Sequence, residues 1–289
     1  MHQDRTFLMY FWNLKLELLI KKVLWVIARL FPFIFVRKAY QYLTTPMVYK
    51  IRPHETEVLN RAEKETFAFN GFNIQLYRWG KGTPKVLLVN GWEGHAGNFA
   101  DLVPLLLAKK FSIIAFDGPS HGASSKGTTS SFEFTDLVTA LIKKFEPQHL
   151  ISHSFGSVAA LISTGRHPEL KLEKYVGVTV PNKLRERLEE IANYLGLPYV
   201  VVTRLIEKIE ANHNVEVDKI NVQDYAPKSS FQRALILHDV NDRVLPVERS
   251  KEVASNWPKA TFEEVQNTGH YRILRTPKVL DRIVSFLDS

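Results

Sequence analysis

Ser154 stands in the run His149-Leu150-Ile151-Ser152-His153-Ser154-Phe155-Gly156. An apolar, strand-like stretch precedes it, and a helix-like stretch from Ser157 to Ser163 follows. A strand that turns straight into a helix holds the residue at its apex in a strained conformation with the side chain presented outward. The residues two before and two after must therefore be small. Ser152 and Gly156 meet that need. A serine hydroxyl displayed this way can attack a carbonyl carbon, provided that a base takes its proton and an acid orients the base. Downstream, the apolar run Ala234-Leu235-Ile236-Leu237 passes into a polar turn that holds Asp239 and Asp242. A second strand-like run, Lys259 to Val265, passes into a polar loop that ends in Gly269-His270. Serine, carboxylate and histidine each lie just past the carboxyl end of a strand, and in an open parallel sheet those ends line one crevice.

Two further motifs lie upstream, Val86-Leu87-Leu88-Val89-Asn90-Gly91-Trp92-Glu93-Gly94 and Phe116-Asp117-Gly118-Pro119-Ser120-His121-Gly122-Ala123-Ser124. With the Ser154 turn, the Asp242 turn and Gly269-His270, they make the chain from Thr66 onward resemble the α/β-hydrolase superfamily, and within it the esterase- and lysophospholipase-like serine hydrolases. The resemblance implies a triad of Ser154 as nucleophile, Asp242 as acid and His270 as base. It also implies an oxyanion hole built from the backbone N–H groups of Trp92 and Phe155. Two positions depart from the family pattern. Asn90 stands where a histidine is usual, and Ser152 stands where the turn usually begins with glycine. Neither departure removes a triad member, and the donor at Trp92 is main chain.

Asp239 competes with Asp242 for the acid role. In similar sequences the acid lies shortly ahead of a Val-x-Pro segment, here Val244-Leu245-Pro246, which favours Asp242. Asp239 has an alternative use in bonding the turn backbone. The resemblance implies hydrolysis of a carboxylic ester or thioester, on a small or hydrophobic acyl substrate, through a Ser154 acyl-enzyme. The alternatives are an acyltransferase on the same triad and a non-catalytic scaffold on the same fold. Scaffolds of this kind usually lose a triad residue, and this chain keeps all three. Dehalogenases and epoxide hydrolases of similar fold carry an aspartate at the turn, so Ser154 argues against both.

The remaining histidines read as structural. His121 belongs to the Asp117–Ser124 turn, His153 lines the pocket or tucks into the sheet, and His95 follows the Trp92 loop. His149 and His153 are four apart, but they flank a strand and a sharp turn rather than sharing a helix face. No neighbouring carboxylate completes a zinc motif, so no metal is expected. Without a Gly-x-Gly-x-x-Gly run there is no dinucleotide fingerprint, and no cofactor is expected. The chain has no Cys, which excludes disulfides and thiolate chemistry.

These residues need a scaffold, and strand-like and helix-like runs alternate accordingly. Thr66 to Arg78 predicts a hairpin around Asn70-Gly71. Strands are predicted at Lys85–Val89, Ser112–Phe116, His149–Ser152, Tyr175–Val180 and the two runs before Asp239 and Gly269. Helices are predicted at Asn98–Lys109, Phe132–Phe145, Ser154–Arg166, Val247–Ser255 and Pro277–Leu287. The fold class is α/β, a mostly parallel central sheet covered on both faces. Between Pro181 and Ser230 the alternation stops, and Lys183–Leu195 and Tyr199–Ala211 read as helices. The expected domains are an N-terminal helical arm (1–52), a first part of the core (53–182), a helical cap (183–229) and a second part of the core (230–289).

The chain has 289 residues and a net charge of +8, and the distribution of that charge matters more than its size. Residues 1–52 hold nine Lys/Arg and two acids, a balance of +7, which leaves +1 for the rest. A nearly neutral catalytic part excludes nucleic acid as the expected substrate; a small-molecule ester or thioester is expected instead. Phe7 to Leu30 reads as one long helix with Trp12, Leu16, Leu19, Ile20, Val23, Val26, Ile27 and Leu30 at helical spacing. Charges interrupt every stretch short of a membrane span. No small-x-small cleavage site follows, so a signal peptide is not indicated. The expectation is a cytoplasmic protein. Pro32 ends this helix, and Phe33 to Leu43 reads as a second, short one. The arm has two readings: a helix docked on the hydrolase domain or at a homodimer interface, and a helix lying on an anionic membrane as a peripheral contact.

Overall fold

The alternating runs build an eight-stranded sheet in the computed structural model, which describes residues 22–47, 50–83 and 85–289. The part of the predicted N-terminal helix that falls on residues 7–21 lies outside the described residues. Strands β1 (Glu63–Phe69) and β2 (Phe72–Trp79) form the hairpin. Asn70 and Gly71 turn it with φ of 44° and 80°, the left-handed geometry that a two-residue hairpin needs. The other strands are β3 (Val86–Val89), β4 (Ile113–Phe116), β5 (His149–His153), β6 (Lys174–Val178), β7 (Arg233–Asp239) and β8 (Ala260–Val265). Their spatial order is β1-β2-β4-β3-β5-β6-β7-β8. The hairpin strands pair antiparallel and β2 pairs antiparallel to β4; every later pairing is parallel.

Strands β3, β4 and β5 are buried at every position, the signature of a sheet covered on both faces. Side chains alternate between two apolar layers. Leu87, Val89, Ile114, Phe116 and Leu150 face the helices Ser131–Phe145, Phe155–Arg166 and Val247–Ser255. Val86, Leu88, Ile113, Ala115 and Ile151 face Pro53–Asn60, Val103–Ala108 and Pro277–Asp288. The chain runs from β3 outward to β4 and then returns to β5 on the other side of β3. That reversal opens a crevice at the carboxyl ends of β3 and β5, the place where such sheets bind ligands.

Two helical details differ from the sequence reading. The predicted helix Asn98–Lys109 is a 3-10 turn, Ala96–Phe99, followed by an α-helix that starts only at Val103. Pro104 explains the start, because a residue without an N–H fits the first helical turn and no later one. Helix Pro53–Asn60 was not anticipated; it is short and weakly periodic, and its signals are a proline in the first turn and Glu55 closing a capping box with Arg52.

The chain divides into two compact units. One is the sheet and its helices, Leu43–Lys183 with Asn221–Ser289. The other joins described residues 22–42 to Leu184–Ile220. In this second unit Ala28 and Val36 pack with Val201, Lys208 lies over the Tyr40 ring at 5.0 Å, and Arg185 pairs with Asp218. The N-terminal segment and the insertion after β6 thus share one small core.

Candidate active site

Ser154 leaves the end of β5 with φ 52° and ψ −126°, a conformation that a non-glycine residue adopts only when its surroundings impose it. Several contacts do so. Its N–H donates to the carbonyl of Val178 on β6 at 2.9 Å. Gly156 passes so close to β3 that a Cβ there would lie 2.4 Å from the Val89 carbonyl oxygen and 2.5 Å from that of Asn90. Ser152, in the place of the usual glycine, is fully buried, and its hydroxyl bonds Tyr175 Oη at 2.7 Å and Ser157 Oγ at 2.9 Å. The departure from glycine is accommodated by a polar network under the turn.

His270 reaches the same point from the loop after β8. Its Nε2 lies 3.1 Å from Ser154 Oγ, and its Nδ1 lies 2.7 Å from Asp242 Oδ2. With the Nδ1–H donating to the carboxylate, Nε2 keeps the lone pair that faces the serine hydroxyl. Asp242 holds its own turn through Oδ1, which accepts the N–H groups of Val244 at 2.7 Å and Leu245 at 3.1 Å. Its side chain is wholly removed from solvent. Burial pushes its pKa up, but hydrogen bonds from His238 and His270 and from the Val244 N–H outweigh that and hold it well below the usual carboxylate range. The structure therefore brings Ser154, Asp242 and His270 together from the ends of β5, β7 and β8.

Trp92 and Phe155 lie beside them. A Cβ at Gly91 would come within 3.3 Å of Ser154 Cβ, so the Trp92 loop presses directly on the serine. The Trp92 ring packs edge-on against Phe155 at 5.6 Å and His121 at 5.0 Å, and Phe134 packs against both of those. Buried Asp117 fixes the loop from behind, accepting the Ala96 and Ala123 N–H groups at 2.8 Å each and the Tyr77 hydroxyl at 3.1 Å. Phe155 begins a helix, where the first N–H groups have no partner within the helix.

A family model described as "Alpha/beta hydrolase family" matches residues 86–181, the segment from β3 through the Ser154 turn to β6. The chain is 22% identical over 265 residues to the uncharacterised hydrolase YugF of Bacillus subtilis (strain 168), covering 76% of this chain and 96% of that one. The crystal structure of a membrane phospholipase A superposes with a TM-score of 0.60 at 17% identity, over 97% of this chain and 98% of the other. A thioesterase domain from the curacin biosynthetic pathway superposes with a TM-score of 0.56 at 16% identity, over 79% and 98%. Residues 86–181 thus match the α/β-hydrolase family, and the chain has the α/β-hydrolase fold.

Three groups around the site of this hydrolase brace it, and of these only His238 escaped the sequence reading. His238, fully buried at the end of β7, directs Nε2 at Leu245 O (3.1 Å) and Asp242 Oδ2 (3.4 Å), and Nδ1 at Ser250 Oγ (2.7 Å). His153 donates from Nε2 to the carbonyl oxygen of His270 at 2.9 Å, so the residue before Ser154 braces the backbone of His270. Asp239 takes no part in the His270–Asp242 contact and instead bonds the backbone of two loops. The only signal in the sequence is position: each is a polar residue at the carboxyl end of an otherwise apolar strand. His149 and His153 lie at opposite ends of β5, and β5 leads into the turn rather than a shared helix face.

Burial pushes His153 down to about 3 and His121 down to about 4, from the ordinary 6.5, so both are neutral in the folded hydrolase. The sign of the consequence is fixed. Below about pH 6.5 the unfolded chain binds protons that the folded chain refuses, so stability falls as pH falls, until the folded groups themselves titrate. Each group contributes a slope approaching about 1.4 kcal/mol per pH unit. Urea midpoints measured between about pH 7.5 and pH 4.5 should decline, and His153→Gln should decline less steeply than wild type. An unchanged slope in the variant contradicts the neutral, buried assignment.

Proposed function

We propose that the protein hydrolyses a carboxylic ester or thioester with a hydrophobic acyl group through a Ser154 acyl-enzyme. The observation that carries this reading is the hydrogen-bonded chain from Ser154 Oγ through His270 to Asp242, aligned on a positive-φ turn. Ser154 Oγ attacks the carbonyl carbon while its proton passes to His270 Nε2. The oxygen that gains charge is received by the Trp92 and Phe155 N–H groups. Collapse of the tetrahedral species expels the alcohol or thiol, which takes the proton from His270. A water then gives its proton to His270 and attacks the acyl carbon; collapse releases the acid as His270 returns that proton to Ser154 Oγ. Asp242 stays ionised throughout and stabilises the imidazolium. The half-exposed rings of Trp92 and Phe155 support an apolar acyl group. Phospholipase and thioesterase chemistries both occur on this fold. An acyltransferase differs only in the acceptor that replaces water.

The variant that tests the chemistry is Ser154→Ala, assayed with p-nitrophenyl butyrate. Turnover should fall by at least about a thousandfold, His270→Ala should be nearly as damaging, and the double variant little worse, because a triad acts as a unit. A well-folded Ser154→Ala protein with full turnover contradicts the mechanism.

We also infer that residues 1–52 bind reversibly to an anionic membrane surface. Helical residues 23–27 are each between 38% and 49% exposed, and all are apolar. Five consecutive positions go round the whole helix. Apolar surface of this extent needs a cover, and a lipid interface supplies one to a helix that lies in its plane. Leu30 and Phe33 extend the patch at 67% and 63% exposure. Lys22, Arg29, Arg37 and Lys38 lie among these residues, within the segment whose balance is +7. Among the described residues no helix is long and apolar enough to cross a membrane. Each basic residue near an anionic surface is worth about 1 kcal/mol, and salt weakens the attraction.

Co-sedimentation of the full chain with vesicles tests this. Binding should require phosphatidylserine, weaken at high salt, and drop by at least about tenfold in Val26→Glu/Leu30→Glu, which removes two apolar anchors. Two results overturn it. One is a vesicle-indifferent homodimer that the variant dissociates. The other is a vesicle-indifferent monomer that the variant unfolds, which makes the arm a docked element.

A further inference from the structure

Asp239 is fully buried at the end of β7, three residues ahead of Asp242. Its Oδ1 accepts the N–H of Asn241 at 2.7 Å. Its Oδ2 accepts the N–H of Thr268, the hydroxyl of Thr268 at 2.7 Å and the N–H of Gly269 at 2.8 Å. Its own carbonyl oxygen accepts the N–H of Asp242 at 3.1 Å. One carboxylate therefore grips two loops. The first carries Asp242 and the second carries His270, the residue directly after Gly269.

Asn267 and Gly269 both lie in the left-handed region, with φ of 62° and 63°. Glycine and asparagine tolerate that region, and the N–H groups of Thr268 and Gly269 are bonded from outside the loop. All four donors to Asp239 are uncharged, so the carboxylate makes charge-assisted bonds to neutral partners. Burial raises its pKa, but the Thr268 hydroxyl and the backbone N–H groups outweigh that and keep it ionised. A carboxylate with this many acceptor sites satisfied is fixed in orientation, and so are the chains bonded to it.

We propose that Asp239 is a positioning residue, which sets the contact between His270 and Asp242 by tying the loop of the base to the turn of the acid. The proposal rests on the triad reading above. It goes beyond that reading in making turnover depend on a carboxylate that touches no reacting atom. A ruler of this kind acts on the reacting geometry, and a displacement of about 1 Å at such a site costs on the order of a hundredfold in rate.

The experiment compares Asp239→Asn and Thr268→Val with Asp242→Asn and Ser154→Ala, all in the full chain. Asparagine keeps the volume and one oxygen of Asp239 but turns an NH₂ toward N–H donors. With p-nitrophenyl butyrate, Asp239→Asn should lower kcat by roughly ten- to a hundredfold with KM changed by less than about threefold. Asp242→Asn should cost more, and Thr268→Val, which removes one bond and leaves the rest, should cost less. The second readout needs no turnover. The His270 Nδ1 proton in its bond to Asp242 should give a low-field proton resonance, which is absent in Asp242→Asn and His270→Ala. In Asp239→Asn it should broaden or shift although Asp242 is present. A purely structural role lowers the melting temperature and leaves kcat and the resonance intact in the folded protein. That result overturns the proposal while a dead Ser154→Ala keeps the triad standing. If Ser154→Ala retains turnover, the triad reading has failed, and the resonance alone decides whether Asp239 sets the His270–Asp242 contact. Should Asp239→Asn not fold, Thr268→Val carries both readouts, and no change in either overturns the proposal.

Discussion

The backbone of Ser154 is held where a serine does not rest unaided, and most of the surrounding architecture follows from keeping it there. A φ of 52° with ψ of −126° costs on the order of 1–3 kcal/mol at a non-glycine residue. The bond from its N–H to Val178 pins the turn to β6, and Gly156 lets the following helix start against the β3 carbonyls with no side chain between. Ser152 lies under the turn, where its hydroxyl is joined to Tyr175 and Ser157 rather than left unpaired in an apolar layer. The strain is local, and the parallel sheet on either side supplies the rigidity that sustains it.

Three buried aspartates divide the remaining work by loop. Asp117 fixes the segment after Trp92 through Ala96, Asp239 holds the loop that leads to His270, and Asp242 closes its own turn with one oxygen while offering the other to His270. In each case a carboxylate in a low-dielectric setting accepts main-chain N–H groups, which makes strong bonds and leaves few alternative geometries. Histidines complete the pattern. His153 and His238 contact His270 and Asp242, the first through the His270 carbonyl and the second through the Asp242 carboxylate.

The placement of Ser154, Asp242 and His270 past strand ends was legible in the sequence because those ends are punctuated. An apolar run that stops at a small residue, a carboxylate or a Gly-His pair marks its own boundary, and those boundaries coincide with β5, β7 and β8. The choice between Asp239 and Asp242 was not legible from spacing alone. Both stand at one turn, and only the path of the loop after β8 decides which carboxylate meets the imidazole and which meets the backbone. The helix at Pro53–Asn60 was hidden because its contacts come from Leu59 and Glu55 rather than from a periodic stripe. The shared core of the N-terminal segment and the insertion after β6 was hidden for a related reason: Ala28, Val36 and Val201 are far apart in sequence, and no local pattern pairs them.

The central claim is that Ser154 carries the acyl group during turnover. The most direct measurement is covalent labelling of the full chain with a fluorophosphonate, followed by peptide mapping of the modified residue. The account predicts one adduct, on Ser154, formed far more slowly in His270→Ala and absent in Ser154→Ala. Labelling at another serine, or an adduct that forms equally fast without His270, contradicts it.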